Sequence, residues 1–253
     1  MKPLLPLVIL ALAVSLCAQV PSSPAPVPIK AEPHHHLALE NGYVRAWFFD
    51  IAGNESTLLH QHDLPYLGVA LMPGDFINAV AGKAEAHAKQ EDGQLSYSKG
   101  GFAHIVRTDA GTPFQNFTVE LLHPQANPRN RCVKLIADAP LDCPVEAAGR
   151  PAVETPAFET DEVLVQAGAL SDGRFYNAAA GSTPRLFLIL SDSELSFEVR
   201  GAKAKRLHGG ELYWLPAGSS AVITDVRKEK KNKDPRAQEE MKFSRFFILN
   251  FKD

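Results

Sequence analysis

The apolar positions of this chain come in short runs, rich in β-branched and aromatic residues and closed by turn formers. Runs suited to strands are Tyr43–Ile51, Leu67–Met72, Phe76–Val80, Phe102–Arg107 and Asn116–Leu122. The style repeats at Val163–Ala169, Arg185–Ser191, Leu195–Val199, Gly210–Leu215 and Phe246–Phe251. Such side chains fit a pleated, half-buried surface, and Pro73-Gly74, Asp92-Gly93 and Gly100-Gly101 supply turns between them. Beyond residue 18 no stretch keeps a 3.6-residue period. The pattern predicts an all-β chain of two tandem jelly-roll β-barrels, an architecture that limits exposed edges and can hold a small ligand inside.

Three segments fall outside that pattern. Residues 1–18 read as a signal peptide: Lys2 gives a positive start, Leu4 to Leu16 an apolar stretch, and Leu16-Cys17-Ala18 a cleavage site ending in a small residue. The apolar stretch is too short, and broken too early by Pro6, for a membrane span, so the mature chain is expected to have no transmembrane segment. Residues 19–33 form a Pro-rich leader, expected to be extended and mobile, which His34 to His36 close either as a peripheral cluster or as a strand start. Residues 125–156 combine prolines with Cys132 and Cys143 and lack apolar alternation, which makes them the linker between a first barrel at 34–124 and a second at 157–253.

Composition narrows the partners. A chain of 253 residues can hold two domains that each bury a core. A net charge of -3 gives no global basic field, so nucleic acid is excluded as an expected partner. The one basic run, Arg227 to Arg236, is interrupted by Glu229 and Asp234 and reads as a solvated loop. If Cys17 leaves with the signal, Cys132 and Cys143 remain, and in an oxidising compartment they are expected to form a disulfide contributing about 2 to 3 kcal/mol. Export to a periplasm or medium follows; lipid attachment at Cys17 is the alternative, with Leu16 bulky for the residue before a lipidated cysteine.

The chemistry concentrates in two stretches, GNESTLLHQHDLPY from Gly53 and KGGFAHIVR from Lys99. Side chains two apart on a strand share a face, so His60 and His62 project together, and His104 after a Gly-Gly turn can add a third imidazole from a neighbouring strand. Three converging imidazoles favour a transition metal over calcium or magnesium. Each histidine alone is more often a hydrogen-bonded core or surface residue than a ligand, and it is the same-face pair that raises the ligand reading.

These stretches resemble the cupin family, whose first motif sets a His-x-His pair after a glycine and a carboxylate four or five residues on, and whose second sets a His after a Pro/Gly-rich turn. The resemblance implies His60, His62 and His104 as metal ligands, for iron, manganese, nickel or zinc. The fourth ligand does not carry over: Tyr66 and Leu67 stand where the family has Glu, Gly53 lies one residue further from His60 than in the common form, and Asp63 alternates to the other face. A three-histidine site with water or Tyr66 nearby is the expectation, with Tyr66 placed to donate a hydrogen bond or proton. The resemblance extends along the chain because the second half looks like a degraded copy of the first. A shift of 119 lays Ala38, Glu40 and Val44 on Ala157, Glu159 and Val163, and a shift of 117 lays Gly93, Leu95 and Gly101 of GQLSYSKGG on Gly210, Leu212 and Gly218 of GELYWLPAG. Under these shifts His60, His62 and His104 fall on Ala179, Gly181 and Ala221, so the second barrel is expected to be metal-free.

Three functions fit: a metal-dependent enzyme of dioxygenase type acting on a small organic molecule; a non-redox isomerase, lyase or hydrolase using the same site; and a non-catalytic double barrel that binds a small molecule. Tyr43, Trp47, Phe49, Phe102 and Phe114 read as core first and pocket lining second, Arg45 and Arg107 as candidates for a substrate carboxylate, and His87, His123 and His208 as surface residues. Whether the chain pairs as a homodimer through a barrel edge is open in the sequence.

Overall fold

A computed structural model describes residues 25–108, 111–132, 140–141, 146–147, 150–151, 154–171, 173–227 and 243–252. The first half carries strands β1 (Val27–Pro28), β2 (His35–Glu40), β3 (Val44–Ile51), β4 (His60–His62) and β5 (Tyr66–Ala70). It continues with β6 (Gly74–Val80), β7 (Ala86–Gln90), β8 (Leu95–Ser98), β9 (Phe102–Arg107) and β10 (Phe114–Leu121). Short pairs follow at β11 (Arg129–Asn130), β12 (Pro140–Leu141), β13 (Glu146–Ala147) and β14 (Arg150–Pro151). The second half holds β15 (Thr155–Glu159), β16 (Val163–Leu170), β17 (Phe175–Ala178), β18 (Arg185–Ile189) and β19 (Glu194–Val199). Last come β20 (Lys205–His208), β21 (Leu212–Leu215), β22 (Ala221–Asp225) and β23 (Ser244–Phe251). Among the described residues the only helical element is a single 3-10 turn at Ile29–Ala31.

Each half is a sandwich of two sheets, and apart from β1, which has no counterpart in the second half, the strand orders of the two halves correspond. One sheet runs β1-β4-β9-β6-β7 in the first half and β17-β22-β19-β20 in the second; the other runs β8-β5-β10-β3-β2 and β21-β18-β23-β16-β15. The repeat extends to an irregularity: the register slips between Leu37 and Leu39 on β2 and between Pro156 and Phe158 on β15, the same shift of 119 that the sequence suggested. A bulge re-aims a strand, so its recurrence marks one inherited design.

The inner and outer faces of the large sheets have different tasks. The outer face of the first (Val44, Ala46, Leu67, Val69, Phe117, Val119) packs directly on that of the second (Val163, Val165, Leu186, Leu188, Phe247, Leu249) as one continuous core. Strands such as RLFLI and SRFFILNF therefore lack alternation, because both their faces are buried. Inside the second sandwich, Phe187, Phe197 and Phe246 fill the space between the sheets. Inside the first, a smaller apolar group of Phe49, Ile51, Phe76, Val106 and Phe114 leaves one end to polar side chains.

Several boundaries move. The leader expected to stay mobile to residue 33 joins the barrel from Val27: β1 pairs in parallel with β4, and Ile29 and Glu32 are buried. The linker is shared between the halves, since β11 pairs with β15 and β12 with β8, and the second barrel begins at Thr155. The signal segment 1–18, most of the basic run from Arg227 and Cys143 lie outside the described residues. Cys132 is disulfide-bonded. No helix among the described residues is long and apolar enough to cross a membrane.

Candidate metal centre

The site is built on β4 and β9, which run antiparallel with His60 opposite His104 and His62 opposite Phe102. The Gly100-Gly101 turn before β9 sets this register. Gly100 has φ 70°, and a Cβ there would meet the Leu64 carbonyl at 2.2 Å, so only glycine fits; the Gly101 N–H donates to the His62 carbonyl at 2.6 Å. Gly53 is required for the same steric reason, since a Cβ there would meet the Gly111 carbonyl at 2.1 Å.

The three sequence-predicted imidazoles do converge. Ring centroids lie 4.5 Å apart for His60 and His104, 5.0 Å for His60 and His62, and 5.0 Å for His62 and His104. The Nε2 atoms of His60 and His62 are 3.1 Å apart. Metal–nitrogen bonds of about 2.0–2.1 Å meeting at about 95–110° place two donors about 3.0–3.4 Å apart, so this spacing fits a shared metal ion. The outward nitrogens are already engaged: His60 Nδ1 donates to the Leu58 carbonyl at 2.9 Å, and His104 Nδ1 donates to Asn78 Oδ1 at 2.7 Å. A carbonyl can only accept, so His60 carries its proton on Nδ1 and turns the Nε2 lone pair inward. His104 Nε2 and His62 Nδ1 are buried with no hydrogen-bond partner, an orphaned state that a ligand to the cluster relieves at Nε2 of His104.

Burial also holds these rings neutral. It pushes the His60 imidazole down to about 4 and that of His104 to about 3, and holds His62 well below its ordinary value, with neighbouring imidazoles adding to the effect for all three. Neutral imidazole is the form that binds metal. The residues present therefore fit a transition-metal ion.

The structure adds what the local sequence did not reveal. His35, at the start of β2, sets its ring 5.0 Å from that of His60 and 5.8 Å from that of His62. One nitrogen from each of His35, His60 and His62 falls within 4.8 Å of the others. Its Nδ1 donates to Glu32 Oε2 at 2.9 Å, and the same carboxylate accepts the His34 N–H and His34 Nδ1 at 2.9 Å each. Burial raises the Glu32 carboxyl, but the hydrogen bonds from His35 and His34 outweigh it and bring the group down to about 2. His34 and His36 do not reach the cluster: His34 faces Glu32 and Glu55, and His36 meets Asp50 on the surface.

The barrel wall beside the cluster is polar. Trp47 Nε1 and Arg45 Nη1 both donate to buried Glu120 Oε2, at 3.1 and 3.2 Å. Cross-strand pairs put Glu120 level with Arg45 and Tyr66, on the inner face that Phe49 shares. Arg45 therefore faces inward with Trp47, but its charge, a candidate for a substrate carboxylate, is met by Glu120 and Glu40.

Comparison with solved structures decides the fold. AerE from Microcystis aeruginosa superposes with a TM-score of 0.52 at 12% identity, covering 88% of this chain and 99% of that one. Protein Ylba from E. coli gives a TM-score of 0.56 at 9% identity, covering 86% and 84%. A cupin 2 conserved barrel domain protein from Leptotrichia buccalis gives 0.52 at 10%, covering 86% and 88%. The fold is that of the cupins. A salicylate 1,2-dioxygenase variant from Pseudoaminobacter salicylatoxidans, in complex with gentisate, superposes at 0.54 with 12% identity over 86% of this chain and 73% of that one. No family model matches the sequence, and no curated protein matches it.

Within this cupin fold the remaining candidates separate cleanly. Tyr66 packs at a tilt against His62, ring centroids 4.6 Å apart, and Phe102 stands 5.2 Å from His104, so both line the cluster. Leu67 faces the second barrel and Asp63 is exposed, so neither takes the missing acidic position. Arg107 is taken up by Glu85 at 2.7 and 2.8 Å, His87 by Asp75, and His123 by the Gly42 carbonyl. Tyr43 packs against Trp214 and Phe251 between the barrels. In the second barrel the pair Ala178 and Ala221 takes the place of His60 and His104, one residue from the expected Ala179, and the interior is closed by phenylalanine.

Proposed function

We propose that the first barrel binds one divalent transition-metal ion through His60, His62 and His104, and that the protein is a metal-dependent enzyme of dioxygenase type acting on a small organic molecule. The observation that carries this reading is the 3.1 Å approach of the His60 and His62 Nε2 atoms beside the orphaned Nε2 of His104, inside a barrel whose twin is packed shut. Iron held by these neutral imidazoles would supply the chemistry to activate oxygen beside a bound substrate. The chain's own residues do the rest: Asn78 and the Leu58 carbonyl hold two rings in the ligating tautomer. Tyr66 offers a phenolic proton beside His62, Phe102 packs edge-on against the His104 ring, and buried Phe49 packs against His35.

The non-redox reading, with zinc, nickel or manganese serving an isomerase or lyase, uses the same ligands and differs in needing no oxygen. Export is proposed with either, on the signal-like residues 1–18 and the disulfide at Cys132, with Cys143 as its partner. The test is oxygen uptake by the iron-loaded protein over a panel of hydroxybenzoates, catechols and small diketones, with anaerobic turnover in parallel. Oxygen consumption that depends on one compound and vanishes in Tyr66→Phe or His104→Ala supports the dioxygenase; equal turnover without oxygen assigns the non-redox chemistry. Because the resemblance to the gentisate-bound dioxygenase is structural and remote, hydroxybenzoates are only the first compounds to try.

A further inference from the structure

We propose that His35 is a fourth ligand to that metal, carried by the N-terminal arm and oriented by Glu32, so that metal binding and docking of residues 27–35 are one event. The inference rests on the three-histidine reading and deepens it. Four observations carry it. His35 reaches the cluster: a ligand nitrogen from it, one from His60 and one from His62 all lie within 4.8 Å of one another, and its side chain is buried. Its ring is held like those of His60 and His104, with Nδ1 on an acceptor, here Glu32 Oε2 at 2.9 Å, which leaves Nε2 free to turn inward. A metal-ligating histidine typically donates its other N–H to such a carboxylate or carbonyl.

Glu32 is the third observation. Its side chain is fully buried, and a buried carboxylate is costly unless compensated. Hydrogen bonds from His35, His34 and the Leu58 N–H meet it, and a divalent cation held by His35 would supply the opposite charge. The fourth is the seating of the arm. Val27 and Pro28 pair with His60 and Gln61, the Val27 N–H donates to the Leu59 carbonyl at 2.9 Å, and Ile29 is buried. The arm is thus laid along the strand that bears two other ligands, and His35 closes it over the centre. In the second barrel the same shift of 119 places Glu154 where His35 stands, consistent with a ligand kept only where its three companions are kept.

The test uses the full chain and needs no activity. Long-range nitrogen-15 NMR of histidine-labelled, zinc-loaded protein should show four rings with metal-shifted Nε2, and only three, with His35 unshifted, would overturn the proposal on the unaltered protein. His35→Ala should keep near-stoichiometric zinc but hold it at least 10-fold more weakly in chelator competition, and Glu32→Gln should weaken it 10- to 100-fold. Zinc should slow trypsin cleavage after Lys30 in the parent and not in His35→Ala. Equal affinity and equal protection in parent and His35→Ala would overturn the fourth ligand while leaving the three-histidine site standing. No zinc bound by the parent, or the same amount bound by a His60→Ala/His62→Ala variant, would remove both.

Discussion

Asn78 accepts from His104 Nδ1 through its side-chain oxygen and so fixes which nitrogen of that ring faces the cluster. Asn78→Leu should fold normally and lower metal affinity about 10- to 100-fold, measured by competition with a chelator. Gly100 acts on the same centre through the backbone. Gly100→Ala must accommodate both φ 70° and a collision with the Leu64 carbonyl, so it should cost about 1–3 kcal/mol in denaturant unfolding and displace β9 from His62. At this scale the sequence was informative where chemistry is local. The i, i+2 spacing of His60 and His62 and the glycine turn before His104 gave three ring positions directly. His35 escaped because it sits in a run of three histidines after a Pro-rich stretch, and nothing in that run tells which ring turns inward. That choice depends on Glu32 and on parallel pairing of β1 with β4, neither of which leaves a periodic trace.

Among the elements, β15 shows how the linker and the end of the chain are tied together. Glu159 on β15 accepts from Lys252 at 2.7 Å and from Arg131, with Arg129 close by. The hydrogen bond from Lys252, then that from Arg131, hold its carboxyl down to about 2 against an ordinary 4.5. A carboxyl lowered on folding contributes stability that is complete above about 4.5 and lost as pH falls toward 2. Glu159→Gln should therefore flatten the acid side of the stability curve between those values, followed by urea midpoints at pH 5, 4 and 3; an unchanged slope would remove the role given to this cluster. Long runs such as β16 and β23 were legible because most of their residues are apolar and buried. The short or polar strands β1, β7 and β17 were not, since two to five residues carry too little pattern to separate a strand from a loop.

In the whole molecule, the two cupin barrels share one core and divide the work. Leu188 is fully buried in the contact between them, and Leu188→Ala should cost about 2–5 kcal/mol while both barrels still melt in one calorimetric transition. The division of work follows from what fills each interior. Phe197 stands 119 residues after Asn78, so the position that steadies a ligand in one barrel is apolar filling in the other. Restoring two histidines by Ala178→His and Ala221→His should leave metal content at one per chain, because the space they need is occupied. The duplication was visible in sequence as two sparse runs of identities at nearly one shift, and strand order makes it plain, while the shared core and the donated linker strands are long-range contacts that no local pattern encodes.

The most direct test of the account is elemental analysis of the purified chain beside a His60→Ala/His62→Ala variant. The account predicts close to one transition-metal ion per parent chain and almost none in the variant, with both folded. Metal absent from the parent after reconstitution, or present equally in the variant, would contradict it and leave a double barrel whose buried histidines serve another purpose.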